Sequence, residues 1–296
     1  MADETNQNDA DMHVSRRDFV AMSIAAGLAA SGATVLGQSA VTERNVQIRT
    51  TDGTCDAAFI HPATGVHPAV ILWPDAFGLR PAVREMAKRL AGEGYSVLVP
   101  NPFYRVQQAP VFESAADFNF GDPAQRNKLG PLMGSITAAG AAEKDAAAFV
   151  AWLDQQPQVD RSKKIGTQGY CMGGPLVVRT AATVPNRVGA GASFHGGGLV
   201  TPGPDSPHLL ATKIKARMYF GVATNDDQQQ PDAKVALKQS FDAARVPVEV
   251  EVYANAQHGW CVPDMPKQAN GQPTFSRTDA DRAWAKLLAL YKTALA

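Results

Sequence analysis

The sequence predicts an α/β fold in which a mostly parallel central sheet is covered by helices on both faces. Two observations carry this expectation. From Val41 onward, short β-branched runs alternate with alanine-rich helical stretches, and that alternation implies right-handed βαβ crossovers. Deep in the chain, a glycine-rich turn, Gly169-Tyr170-Cys171-Met172-Gly173-Gly174, leads directly from a strand into a helix. No internal repeat or linker interrupts this pattern, so residues 41–296 read as one domain.

The elements follow in order. Val46–Arg49 and Ala57–Ile60 read as an antiparallel pair joined by the turn Thr51-Asp52-Gly53. Ala69–Trp73 is a buried strand. Arg80–Gly92 is helical, because Val83, Met86, Ala87 and Leu90 fall on one face and Gly92 and Gly94 close it. Tyr95–Val99 is the next strand, stopped by Pro100 and Pro102. Further strands are expected at Lys164–Tyr170, Val188–Phe194, Ala216–Val222 and Val248–Tyr253. Helices are expected at Ile136–Gln155, Gly174–Thr183, Asp232–Ala244 and Thr278–Leu295. Val106 to Ser135, rich in Asn, Asp, Pro and Gly, reads as an irregular excursion.

Residues 1–40 stand apart. Ser15-Arg16-Arg17-Asp18-Phe19-Val20 precedes a weakly apolar, Ala/Gly-rich run from Ala21 to Leu36. That run is too short and too glycine-diluted for a membrane span, which needs roughly 20 strongly apolar residues. Paired arginines before such a run read as a twin-arginine export signal. Cleavage is expected near Gly37-Gln38-Ser39-Ala40, with the export machinery as a transient partner, a periplasmic destination and no lasting membrane association.

Composition excludes several classes. Hydrophobic content of 45% and charged content of 19% are ordinary globular values. The 28 Lys and Arg residues balance 28 Asp and Glu, so neither nucleic acid nor an anionic membrane is an expected partner. There is no CxxC and no Cys/His cluster at zinc spacing, so neither a metal site nor another cofactor is expected. Cys55 and Cys261 are candidates for a bridge in an oxidising compartment, which would leave Cys171 free.

The chemistry centres on Cys171. A nucleophile on a tight strand-to-helix turn needs glycines two residues to either side, where side chains would clash. The following helix points its N–H groups and positive end at the thiol. The Met172 N–H is one candidate oxyanion donor. Chain order adds the partners. The strand ending near Val222 is followed by Asn225-Asp226-Asp227, and the strand ending at Tyr253 by Gln257-His258-Gly259. Nucleophile, acid and base in that order are what an α/β-hydrolase fold requires. The acid is Asp226, counting from the strand end, or Asp227, counting back from Pro231.

These residues resemble the dienelactone hydrolase family, which also carries cysteine at this turn, and the resemblance runs from about Asn45 to the C-terminus. It implies an ester- or lactone-cleaving enzyme using a small-molecule substrate. Trp73-Pro74-Asp75-Ala76-Phe77-Gly78 matches a family segment in which Ala76 would supply the second oxyanion N–H. Asp75 stands where the family has a glutamate that contacts the resting thiol. Pro100-Asn101-Pro102-Phe103-Tyr104-Arg105 resembles a segment whose arginine binds a substrate carboxylate, making Arg105 a substrate clamp. The chain departs from the family at Val262, where a second such arginine belongs. His195-Gly196-Gly197-Gly198 resembles a lipase oxyanion loop but lies after the nucleophile, out of place for that role. Two other readings stay open: a thiol peptidase or acyltransferase on this fold, and a binding protein without turnover.

Overall fold

A computed structural model describes residues 40–296, so nearly all of the expected export segment lies outside the described residues. The described residues pack as one compact unit. Eight strands form a single sheet: β1 (Val41–Thr50), β2 (Gly53–Pro62), β3 (Ala69–Trp73), β4 (Ser96–Pro100), β5 (Ile165–Tyr170), β6 (Val188–Phe194), β7 (Arg217–Ala223) and β8 (Val248–Tyr253). Their spatial order is β1-β2-β4-β3-β5-β6-β7-β8. β1 and β2 form an antiparallel hairpin, from Val41 opposite Pro62 to Thr50 opposite Gly53, and β2 runs antiparallel to β4. From β4 to β8 every pairing is parallel.

The strands sort their side chains by alternation, the period-2 geometry of a pleated strand. In β3, Ala69, Ile71 and Trp73 join one core cluster, whereas Val70 and Leu72 join the other. The first cluster is covered by α3 (Ala141–Leu153), α4 (Gly173–Thr183) and α6 (Ala233–Ala243), through residues such as Phe149, Val177 and Phe241. The second is covered by α1 (Pro81–Gly92) and α7 (Arg277–Ala294), through Val83, Leu90, Leu287 and Tyr291. β3 and β5 are buried along their whole length, as strands covered on both faces must be.

Two expectations are corrected. The helix expected over Ile136–Gln155 is two helices, α2 (Pro123–Thr137) and α3, so much of the expected irregular stretch is helical. The break falls at Gly140, whose φ of 75° caps α3. α2 starts because the Asp122 carboxylate accepts from Ala124 N at 2.8 Å with Pro123 in the first turn. That cap and the burial of Leu132 and Ile136 outweigh the cost of Pro131 inside the helix. The hairpin strands are also longer than alternation alone marked.

Candidate active site

The turn after β5 places Cys171 with φ of 51°, in the left-handed region, a strained conformation for a residue with a Cβ. Close packing enforces it. A Cβ on Gly173 would approach Trp73 O to 2.5 Å, and one on Gly169 would collide with Gly173 O. The Cys171 N–H donates to Phe194 O and to His195 Nδ1, both at 3.1 Å, while Gly174 N donates to Cys171 O at 3.0 Å.

β8 leads into the loop that carries His258. Its Nδ1 bonds both oxygens of Asp226, at 2.8 and 3.0 Å, and its backbone N–H donates to Asn225 Oδ1 at 2.8 Å. Asp226 sits in α5 (Thr224–Gln229), a short helix directly after β7. Thr224 N bonds Ala256 O at 2.9 Å, tying the acid's loop to the histidine's. Burial works to lower the His258 imidazolium, but its hydrogen bonds to Asp226 and to the Cys171 sulfur outweigh that and hold the group up to about 10. Asp227 instead pairs with Lys234 Nζ at 2.6 Å. Of the two candidate acids, the structure brings Asp226 to the histidine. With Nδ1 held by the carboxylate, the other ring nitrogen is left to serve the sulfur.

The Met172 N–H precedes α4 and lies outside its internal hydrogen bonds. In the turn after β3, Phe77 N donates to Asp75 Oδ1 at 2.9 Å and Gly78 N to Asp75 O at 3.0 Å. The Ala76 N–H between them finds no acceptor among the described residues. Both expected oxyanion donors are therefore free amides at the C-terminal edge of adjacent strands.

Asp75 differs from its expected place against the thiol. Its carboxylate takes a bidentate pair from Arg80, at 2.7 and 2.9 Å. Arg80, wholly buried, also donates to both oxygens of Asp264, at 2.8 and 2.7 Å. Asp264 accepts from Ala115 N at 3.1 Å as well. This bridge joins the turn after β3, the loop after His258 and the excursion before α2. Burial penalises the guanidinium, but its two carboxylates push its pKa upward, and Arg80 holds Asp264 below the usual carboxylate range against the same penalty. Sequence reasoning missed Arg80 because its partner lies 184 residues away.

Arg105, expected as a substrate clamp, has its donors committed elsewhere. Its guanidinium makes four hydrogen bonds of 2.7–3.1 Å to Asp52 and Asp145. Asp145 is fully buried, and an unpaired charge there would be costly, so the pair is held. Val262 is also fully buried. All three cysteines are free: Cys55 donates to Asn101 O at 3.4 Å, whereas Cys261 lines a cavity with Tyr170 and Phe194. The bridge between Cys55 and Cys261 is therefore absent. Among the described residues, no cluster of three His, Cys, Asp or Glu side chains is arranged to hold a metal.

His195, which the sequence reading left without a catalytic role, also lies beside the cysteine. It follows β6, is wholly buried and has φ of 41°. Its Nδ1 accepts from Cys171 N, and Gly197 N donates to Cys171 O at 3.3 Å. The His-Gly-Gly loop thus clasps both backbone polar groups of the cysteine. The ring also lies edge-on to His258, centroids 4.8 Å apart. Burial and the neighbouring His258 push its pKa well down, so no second positive charge competes with the His258 imidazolium. The usable signal was its position at the C-terminal end of a strand beside β5, where parallel sheets place their sites. Beside Met172 and Gly197 opens a cavity of about 350 Å³.

The family model described as the dienelactone hydrolase family matches residues 55–295. A carboxymethylenebutenolidase of Rhodococcus opacus is 28% identical over 245 residues, 79% of this chain and 88% of that protein. Among solved structures, a dienelactone hydrolase-like promiscuous phosphotriesterase from metagenomic libraries is 25% identical. It superposes with a TM-score of 0.70 over 87% of this chain and all of that one. The dienelactone hydrolase of Anabaena variabilis shares the fold at 16% identity, with a TM-score of 0.57 over 88% of this chain and all of that one.

Proposed function

The chain belongs to the dienelactone hydrolase family, and from that premise we propose that it cleaves carboxylic ester or lactone bonds through Cys171, His258 and Asp226. The observation that carries this reading is His258 paired with the Asp226 carboxylate beside the sulfur of a strained Cys171. The Cys171 thiolate adds to the carbonyl carbon, and the Met172 and Ala76 N–H groups receive the charge that develops on oxygen. The tetrahedral adduct collapses as protonated His258 gives its proton to the departing alkoxide, leaving a thioester. Neutral His258 then takes a proton from water, which attacks the thioester carbonyl. Collapse releases the acid and restores thiolate and imidazolium. Asp226 fixes the ring through its two hydrogen bonds to Nδ1.

Hydrolysis of p-nitrophenyl acetate by wild type and Cys171→Ala tests the nucleophile. The variant should lose at least about a thousandfold in kcat/KM, and equal rates would sink the assignment. Stoichiometric alkylation of Cys171 by iodoacetamide near neutral pH, faster than an ordinary thiol, separates this reading from a binding protein without turnover. Twin-arginine export to the periplasm is part of the same proposal and rests on Ser15–Val20.

A further inference from the structure

The cavity beside Met172 bears on which esters the nucleophile meets. Its inner wall is Met133, Ile136, Ala142, Met172 and Leu176, of which all but Met133 are buried. These are apolar side chains from α2, α3 and α4, together with Met172, which precedes α4 and directly follows Cys171. The charged residues at the rim are Glu143, Arg179 and Asp205. Arg179 donates to Glu143 at 2.7 Å and to the Asp205 carbonyl at 2.9 Å, and the Asp205 carboxylate lies 4.0 Å from it. One cation against two carboxylates leaves the rim with a net charge of −1. Arg80 and Arg105, which follow the strands flanking the site, are likewise each paired with two carboxylates. An incoming carboxylate would find no free cation and would face like charge, which disfavours binding.

We propose that this cavity receives an uncharged, apolar acyl group and selects against esters that carry a free carboxylate. The proposal rests on the hydrolase reading above. At about 350 Å³ the cavity exceeds the roughly 150 Å³ void known to hold benzene, so an acyl group of about six carbons fits. Burying each methylene is worth up to about a fourfold gain in kcat/KM.

The test compares p-nitrophenyl acetate, butyrate and hexanoate with mono-p-nitrophenyl adipate, which matches hexanoate in length but ends in a carboxylate. Wild type should gain about tenfold or more from acetate to hexanoate and lose at least about tenfold from hexanoate to adipate. Glu143→Gln, which releases Arg179, should raise the adipate-to-hexanoate ratio at least about threefold. An adipate rate equal to that of hexanoate, a hexanoate rate no better than acetate, or an unmoved ratio in Glu143→Gln would each overturn the proposal. If no ester is turned over, the hydrolase reading fails while the cavity can still be read by protection of Cys171 from iodoacetamide. Hexanamide should slow alkylation and 5-carboxypentanamide should not; equal protection, or none from either, would also overturn it.

Discussion

His258 feels opposed influences, burial against its charge and the Asp226 and Cys171 side chains for it, and the partners win. In the proposed mechanism the imidazolium donates the proton that releases the leaving group, so the acylation rate should fall as pH rises through about 10, the value up to which His258 is held. Removing the carboxylate removes a stabiliser of the charged form. Asp226→Asn should therefore move that alkaline limb down by about one unit or more and lower kcat/KM by roughly a hundredfold or more. Asp227→Asn loses only a partly exposed pair with Lys234 and should stay within a few-fold of wild type. A pH–rate profile of both variants checks the assignment, and similar losses in the two would count against Asp226. His195 sits outside this charge exchange, since its Nδ1 is occupied by the nucleophile's own N–H.

At the level of elements, everything in the site hangs from the C-terminal ends of parallel strands: Ala76 after β3, Cys171 after β5, His195 after β6, Asp226 after β7 and His258 after β8. Strands, and therefore these positions, were legible because alternation and β-branched runs are local signals. The order nucleophile, acid, base was legible for the same reason. Choosing Asp226 over Asp227 was not settled by sequence, because the short helix after β7 decides which carboxylate turns inward. α2 escaped notice because a side-chain cap and burial override its proline and glycines. The roles of Arg80 and Arg105 were illegible because each is set by a partner distant in sequence, and Asp75 is held by Arg80 in turn. Arg80→Leu should cost about 3–5 kcal/mol, since it strands two carboxylates around a buried site. Urea denaturation measures this, and a loss under about 1 kcal/mol would mean that solvent reaches the bridge.

At the largest scale, the described residues form one sheet with a core on each face, and no helix among them is long and apolar enough to cross a membrane. Replacing Arg16 and Arg17 together by lysine should leave the protein in the cytoplasmic fraction. Periplasmic recovery of that variant would remove the export proposal. The Asp75–Arg80–Asp264 bridge has a consequence in time. During synthesis the turn after β3 and the cysteine both exist well before residue 264 is made, so the nascent chain carries its thiol without the loop that later brings the histidine and Asp264 into place. Competence is thus acquired only with the last sixth of the chain, and a reactive centre is withheld until the body around it is finished. Pulsed alkylation during refolding would time that event: Cys171 should gain its heightened reactivity together with native α7 packing, and an earlier gain would show that the thiol is armed without its partners.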